Sequence, residues 1–503
     1  MSITLHQNVS FLQSDVETPI SLFMRLAGDG QGILLESAEV GGRWGRYSLA
    51  AADFFLCLLC RNGKADITVR DRRLEPLRAL HGRPFLDGFR ALLRDVRILP
   101  APGTGFPPIT RALYGYLGYG CAGLSEPKTA SFLPPEDAEA CLALPGTLIL
   151  YDHEYNRVCR LSLRPDTADA AAAMPRSAAG SDAFSLRPAG IGPAQASKSR
   201  EEHMDTVRRL KEQIRLGEAV QVVPSIAFNA AFNGDPFTVY RRLRRINPSP
   251  YMFFMRLPDL TLMGSSPEVM VSCTAGKLRL CPIAGTRPRG AGPDEDNLFE
   301  EELAGDPKEQ SEHVMLVDLG RNDLGRVSTP GSVVLDRYME VERFSHVMHL
   351  TSHISAQLRP GLDAVDVLQA VFPAGTVSGA PKIRAMELLA EEEQGPRGPY
   401  AGAVGWFGLD GQGVHMDTGI TIRSLWIRDG RAHWQAGGGV VHDSSPEAEW
   451  KEIVNKAAAA QAALTGNANG ELPPPRNTPD RSAQHPHPSL AGTEAGGGNV
   501  SAH

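Results

Sequence analysis

Two pairs of glutamates set three residues apart carry the strongest chemical suggestion in this sequence: Glu309 and Glu312 in DPKEQSEHVMLVDL, and Glu449 and Glu452 in SPEAEWKEIVNKA. Both segments have the pattern of an amphipathic helix, so each pair shares one helical face. If the two faces meet, four carboxylates converge, and like charges at short range raise one another's pKa until a cation neutralises them. A hard divalent cation with oxygen ligands, Mg2+ foremost, suits such a group. The plainer alternative is two solvated helix faces, the commoner fate of glutamates at this spacing. The neighbouring segments argue against it.

Those segments are PIAGTRPRG (282–290), FPAGTVSGAPKIRAM (372–386), RGPYAGAVGWFG (397–408), Ile420 to Arg423, and QAGGGVVHDSSPEAE (435–449). They mix Gly-rich turns, which admit a ligand close to the backbone, with isolated Thr, Tyr and Arg able to hold a small polyanion. Taken in this order they resemble the chorismate-utilising enzymes, and among these the large components of anthranilate synthases, over residues 20–460.

The resemblance implies a carbon–oxygen lyase reaction in which chorismate and ammonia give anthranilate and pyruvate. Nitrogen adds at C2 as the C4 hydroxyl leaves, and pyruvate is then eliminated. The hydroxyl is a poor leaving group and needs an acid. Glu268 in GSSPEVMVS matches that acid, a role that calls for a raised carboxyl pKa. Without the surrounding motifs it would read as a turn glutamate after Pro267. His349 in FSHVMHLTS matches a histidine beside the reacting ring that takes part in proton transfer, with His346 as the nearby decoy. A lone histidine is more often a satisfied core residue.

Substrate holding divides by chemistry. Tyr400 and Arg423 match residues at the enolpyruvyl carboxylate, where a guanidinium fork suits a planar partner. Gly285, Thr286, Thr376, Gly437 and Gly439 match those around the ring and its carboxylate, the glycines being otherwise explicable as turns. The resemblance further implies that the ring carboxylate bridges to Mg2+, held by Glu309, Glu312, Glu449 and Glu452 directly or through water.

Two positions separate this chain from relatives that share the site. Ala284 stands where aminodeoxychorismate synthases usually carry a lysine nucleophile, and alanine cannot attack. Gln221 stands where isochorismate and salicylate synthases carry a lysine that activates water, and an amide has no basic electron pair for that task. Both favour an anthranilate synthase, or at minimum an enzyme that stops at the aminated intermediate. An aminodeoxyisochorismate or aminodeoxychorismate synthase is the alternative enzyme, and a tryptophan-binding regulatory protein with a dead site the non-enzymatic one. The full set of acidic and substrate-holding residues speaks against the latter.

None of the seven cysteines lies in a Gly-flanked nucleophile elbow, so the resemblance implies that ammonia comes from glutamine through a separate glutamine amidotransferase subunit, in a heterotetramer of two large and two small subunits. It also implies feedback inhibition by tryptophan. ILLESAEVGGRWGRYSL (33–49) and NPSPYMFF (247–254) resemble the inhibitor-binding segments, with Glu36 and Ser37 taking the amino group, Pro250, Tyr251 and Met252 walling the indole, and Arg46 a further candidate. A strand and a Pro-bounded turn would produce the same pattern.

Composition is consistent with this reading. A chain of 503 residues with 42% hydrophobic content can bury a sizeable core. A net charge of -7 argues against a nucleic-acid partner, and the cluster Arg241, Arg242, Arg244 and Arg245 reads as a solvated helix face or an ion-pair donor. No apolar run is long enough to span a bilayer, the N-terminus lacks a secretory pattern, and the scattered cysteines suit a reducing compartment, so a cytoplasmic location is expected. Cys57 and Cys60 lie in a buried strand pattern and read as core.

The expected organisation is an N-terminal module over 1–162, an Ala/Pro/Gly/Ser-rich linker or excursion over 163–199, a catalytic module over 200–464 and a disordered tail over 465–503. The expected class is α+β, with two antiparallel sheets packed face to face and helices outside.

Overall fold

Helix caps readable in the sequence start both glutamate-bearing helices. Asp306 Oδ1 accepts from the backbone N–H groups of Lys308 and Glu309 at 3.0 and 3.3 Å, and Pro307 opens the helix Pro307–Gly325. Ser445 Oγ accepts from Ala448 N–H at 3.3 Å and Pro446 opens the helix Pro446–Thr465, which Gly466 ends in a left-handed conformation. Glu309 and Glu449 lie in the first turns, where the positive end of the helix dipole favours a carboxylate. The computed structural model describes residues 2–12, 16–37, 45–126, 128–164, 189–344, 347–393 and 395–466. Most of the 163–199 segment, nearly all of the 465–503 tail and the decoy His346 lie outside the described residues.

The α+β class is as expected, but hydrogen bonding does not divide the strands into two sheets. Among the described residues, 21 strands join in one network that is antiparallel at every junction of the main ladder. The continuity comes from two long strands, Tyr47–Arg61 and Ala140–Asp152, which pair along most of their length. Their register shifts between Phe54 and Leu56, next to Asp53 at φ +63°, a bulge that re-aims the ladder. On one side of it, Tyr47–Arg61 pairs with Gly32–Glu36, which pairs onward with Tyr251–Arg256. On the other side Ala140–Asp152 pairs with Ala112–Leu117, which pairs onward with Ala403–Gly408. Strands from before and after the 163–199 segment are therefore interleaved.

Side-chain alternation along the strands feeds two apolar cores. Met252 and Phe254 enter a cluster covered by the helices Pro19–Ala27, Pro236–Ile246 and Pro446–Thr465, while Phe253 and Met255 enter the larger cluster on the opposite face. All seven cysteines are buried and unbridged, in keeping with a core role. Among the described residues, no helix is long and apolar enough to cross a membrane.

Adjacent strands approach most closely where glycines face carbonyls. A Cβ added to Gly115 would stand 1.8 Å from the backbone oxygen of Cys141, which cannot retreat without breaking its own ladder. Gly115→Ala is expected to lower stability by about 1–3 kcal/mol, read as a lower urea midpoint at unchanged slope. A midpoint equal to that of the wild type would mean that the ladder tolerates the displacement.

Candidate active site

The carboxyl expected to act as the acid sits where one strand ends and the next begins. Glu268 lies between strands Thr261–Ser266 and Val269–Thr274, and its own carbonyl is fixed by Ile420 N–H at 3.0 Å. Its side chain borders a small cavity shared with Leu319, Asp323, Val371, Ala374 and Thr376. Burial drives its pKa up from 4.5 to about 7, against smaller opposing effects from the nearby Thr376 hydroxyl and the Lys456 ammonium. Thr376 Oγ1 is buried beside that carboxyl, and among the described residues no hydrogen bond of normal length satisfies it.

His349 stands on Val347–Gln357, next to the irregular pairing between Ala284 and Arg287. Its Nδ1 lies 2.8 Å from Gly285 O and 3.2 Å from Thr286 Oγ1. A carbonyl can only accept, so Nδ1 carries the hydrogen and Nε2 presents its lone pair. Burial lowers the imidazole pKa, only partly offset by the bond to Gly285, and Arg423 lowers it further. The ring is thus a neutral proton acceptor at neutral pH. Gly285 itself has φ +64°, and a Cβ there would stand 2.7 Å from Leu303 and 3.0 Å from a Glu309 oxygen.

Arg423 is a buried cation that feels the Glu452 charge without pairing with it. It forms no ion pair among the described residues, burial lowers its pKa, and its backbone is held at φ +50°, a conformation that non-glycine residues rarely adopt. Tyr400 is buried beside it, its hydroxyl pushed up to about 12 chiefly by burial. The Arg397 guanidinium near the Tyr400 ring is, by contrast, already paired with Glu393 at 2.7 Å. Gly437 and Gly439 are spacers more than turns. A Cβ on Gly437 would meet the Tyr400 hydroxyl at 2.8 Å, and one on Gly439 would meet the Gln221 amide nitrogen at 2.6 Å.

The four glutamates share one field. Burial raises the Glu312 pKa, and the charges of Glu309 and Glu452 raise it further; burial likewise raises that of Glu449, with Glu452 adding to it. Gln221 Nε2 reaches Glu312 Oε1 at 3.4 Å, Glu449 Oε2 is buried without a partner among the described residues, and Gly438 leaves room beside Glu449 and Glu452. Among the described residues, no three His, Cys, Asp or Glu side chains already form a metal-holding group. The orphaned oxygen, the open space and the raised pKa values of Glu312 and Glu449 fit a hard divalent cation, which would relieve all three.

A family model described as chorismate binding enzyme matches residues 74–462. This chain belongs to that family. It is similar to anthranilate synthase component 1 of Pseudomonas aeruginosa, 38% identical over 464 residues spanning 88% of this chain and 92% of that one. It is likewise similar to the Streptomyces coelicolor protein of the same name, 40% identical over 92% of this chain and 89% of that one. Among solved structures, anthranilate synthase component I from Streptococcus pneumoniae is 31% identical with a TM-score of 0.67, covering 90% of this chain and 99% of that one. The menaquinone-specific isochorismate synthase of Escherichia coli, 18% identical with a TM-score of 0.66 over 92% and 95% of the two chains, shares the fold.

In this chorismate binding enzyme, sequence reasoning missed Lys456. Its Nζ bonds Glu452 Oε1 at 2.5 Å and Gly437 O at 3.1 Å, and its charge acts on Glu268, Glu312 and Glu449. The signal was available, since Glu452 and Lys456 are four apart on one helix face. The two segments expected to hold an inhibitor are brought together by the register Met252↔Glu36. Glu36, however, is buried and already engaged: Arg244 Nε and Nη2 lie 2.9 and 3.0 Å from its carboxylate, and the Tyr240 hydroxyl donates at 2.7 Å. An added ammonium would have to share that carboxylate. Ser37 Oγ is buried with no partner among the described residues. Pro250 directly precedes the strand on the Glu36 side of the pairing, but the Tyr251 ring points to the face opposite Met252. Arg46 is held by Asp152 at 3.0 Å and Glu154 at 3.0 Å.

The raised Glu268 pKa has a consequence for stability. Because the folded value of about 7 exceeds the ordinary 4.5, the folded chain binds more protons than the unfolded one between these limits. The cost of ionising Glu268 is absent below about pH 4.5 and grows until about pH 7. Glu268→Gln should therefore gain about 2–3 kcal/mol on the wild type between pH 4.5 and pH 8, measured by urea denaturation at both pH values. A difference that does not change with pH would mean that the carboxyl is ionised in the fold.

Proposed function

We propose that this chain is the chorismate-converting component of an anthranilate synthase, producing anthranilate and pyruvate from chorismate and ammonia. The observation that carries the reading is a protonatable buried carboxyl, Glu268, and a buried guanidinium with no ion pair among the described residues, Arg423, both within the field of the Glu452–Lys456 pair. An acid that holds its proton near neutrality and a fixed cation suit a dianionic substrate that must lose a hydroxyl.

Arg423 and the Tyr400 hydroxyl bind the enolpyruvyl carboxylate and fix the ring in the cleft. Thr376, Thr286 and the open backbone at Gly285, Gly437 and Gly439 border the ring and its carboxylate. Glu268 gives its proton to the C4 hydroxyl, which leaves as water while ammonia bonds at C2. Gln221 Oε1, buried and without a partner among the described residues, is an acceptor for an N–H of the incoming nitrogen. The added nitrogen gives up one proton, and His349 Nε2 then takes the C2 proton as the ring C–O bond to the enolpyruvyl group breaks. The enolpyruvyl methylene takes a proton and leaves as pyruvate, and the ring is aromatic. Glu309, Glu312, Glu449 and Glu452 would hold Mg2+, which when bound neutralises the ring carboxylate and anchors it. Until then Lys456 and Lys308, with Arg287 beside Glu309, supply the positive charge among them.

Ala284, buried against the neighbouring strand at Leu350, leaves no nucleophile at the position that would mark an aminodeoxychorismate synthase. Gln221 leaves no base for water activation. The designation "component 1" in the relatives supports a separate partner, which we assign as a glutamine amidotransferase delivering ammonia, two of each subunit forming the heterotetramer. Tryptophan is assigned as the feedback inhibitor at the Glu36 and 250–252 segments, and a cytoplasmic setting follows from such an activity.

The purified chain is expected to generate anthranilate fluorescence from chorismate, ammonium and Mg2+, to lose it with EDTA, and to lose it progressively with tryptophan. Chorismate consumed without anthranilate would redirect the assignment to a related chorismate enzyme, and no consumption would favour a regulatory protein. Glu268→Gln should lower kcat by about 10²–10⁴-fold, and wild-type kcat should fall as pH rises through about 7, where the acid loses its proton. Activity that persists unchanged in the variant would remove Glu268 from the role of acid.

A further inference from the structure

Tyr251 belongs to the segment assigned to the inhibitor, yet its side chain leaves that segment on the other face of the strand. Strand Tyr251–Arg256 alternates, so Met252 turns toward the side of Glu36 and Tyr251 turns away. The Tyr251 ring lies flat against Gly419, where an added Cβ would stand 2.8 Å from Tyr251 Cγ. Its hydroxyl donates to Asp417 Oδ1 at 2.8 Å. Asp417 forms no ion pair among the described residues, and this is the one side-chain hydrogen bond to its carboxyl there. Burial pushes the Asp417 pKa up to about 6, so the group depends on that bond for its charge.

Strand Met416–Ile420, which carries Asp417 and Gly419, leads directly to the acid. Gly419 is the register partner of Val269, and Ile420 N–H donates to Glu268 O at 3.0 Å. One ring contact and two hydrogen bonds thus connect the 250–252 segment with the backbone of Glu268, with no solvent-exposed loop between them. Packed elements of this kind move as units, so a shift at one end is felt at the other.

We infer that the Tyr251–Asp417 hydrogen bond is a positioning contact that couples the 250–252 segment to Glu268 and carries ligand occupancy on the Glu36 side to the catalytic cleft. This rests on the assignment of tryptophan to that side. Tyr251 is then a transmitter of inhibition and not part of the wall around the indole. Coupling of this type requires that the two arrangements of the contact differ in their affinity for tryptophan and for chorismate.

The test separates binding from transmission. Tryptophan binding is measured by calorimetry, and chorismate KM and kcat are measured with and without saturating tryptophan. Tyr251→Phe keeps the ring on Gly419 and removes only the hydrogen bond. It should bind tryptophan within about threefold of wild type, while the factor by which tryptophan raises the apparent KM falls at least about fivefold. Asp417→Asn, whose amide oxygen still accepts from Tyr251, should retain most of that factor, an outcome that loss of folding alone would not give. Inhibition of Tyr251→Phe as strong as in wild type overturns the coupling, as does a parallel loss of tryptophan binding and inhibition, which would make Tyr251 part of the ligand wall. A wild-type chain that takes up no tryptophan overturns the inhibitor assignment itself, and the calorimetry of the unmodified protein reveals that before any variant is made.

Discussion

A cleft containing more carboxylate than cation is the constraint on which the rest of this structure depends. Glu309, Glu312, Glu449 and Glu452 outnumber the cations set against them. Lys308 and Lys456 act on Glu312 and Glu449, Lys456 also on Glu268, and Arg287 reaches Glu309 at 3.6 Å. Arg423, which feels the Glu452 charge, forms no ion pair among the described residues. A fold built for stability alone would pair these groups or move them to solvent, because isolated charge in a protein interior is costly. Here the imbalance is maintained by rigid surroundings. Capped helices fix the glutamates, and the glycines at 285, 437, 438 and 439 keep the neighbouring space clear.

The same constraint separates two kinds of carboxyl. Glu268 is raised chiefly by loss of water, with no acidic neighbour contributing, which leaves a group that holds its proton by itself. Glu312 and Glu449 are raised in part by other glutamates, so a bound cation would reverse the part of their shift that those neighbours impose. Acid chemistry and ion binding can therefore occupy one cleft without competing for the same protons. His349 adds a third electrostatic setting, kept neutral by burial and oriented by a backbone carbonyl.

What the sequence disclosed followed physical locality. The glutamate helices were legible because their caps and their i, i+3 spacing lie within a few residues, and the structure bears out both helices. The α+β class was legible from pattern and resemblance together, but the single strand network was not, because a bulge at residues 53–56 decides where one ladder passes into another. Lys456 was within reach by the same i, i+4 rule and went unread. The Arg244 fork on Glu36 and the Asp417 partner of Tyr251 were out of reach, since each joins residues well over a hundred positions apart. Facing direction was lost in the same way: three successive residues, 250–252, read as one wall, whereas alternation sends Tyr251 to the far side.

The interleaved ladder also sets the order in which the chain can become itself. Strand Ala112–Leu117 pairs early with Ala140–Asp152 but finds the partner of its second edge in Ala403–Gly408, as Gly32–Glu36 finds its second in Tyr251–Arg256. During synthesis the N-terminal strands leave the ribosome with open edges long before the residues that close them exist. Contacts so distant in sequence slow folding and prolong the exposure of sticky edges. The arrangement that holds the cleft rigid in the finished protein thus makes the nascent chain dependent on its last hundred described residues, and on whatever protects it until they arrive.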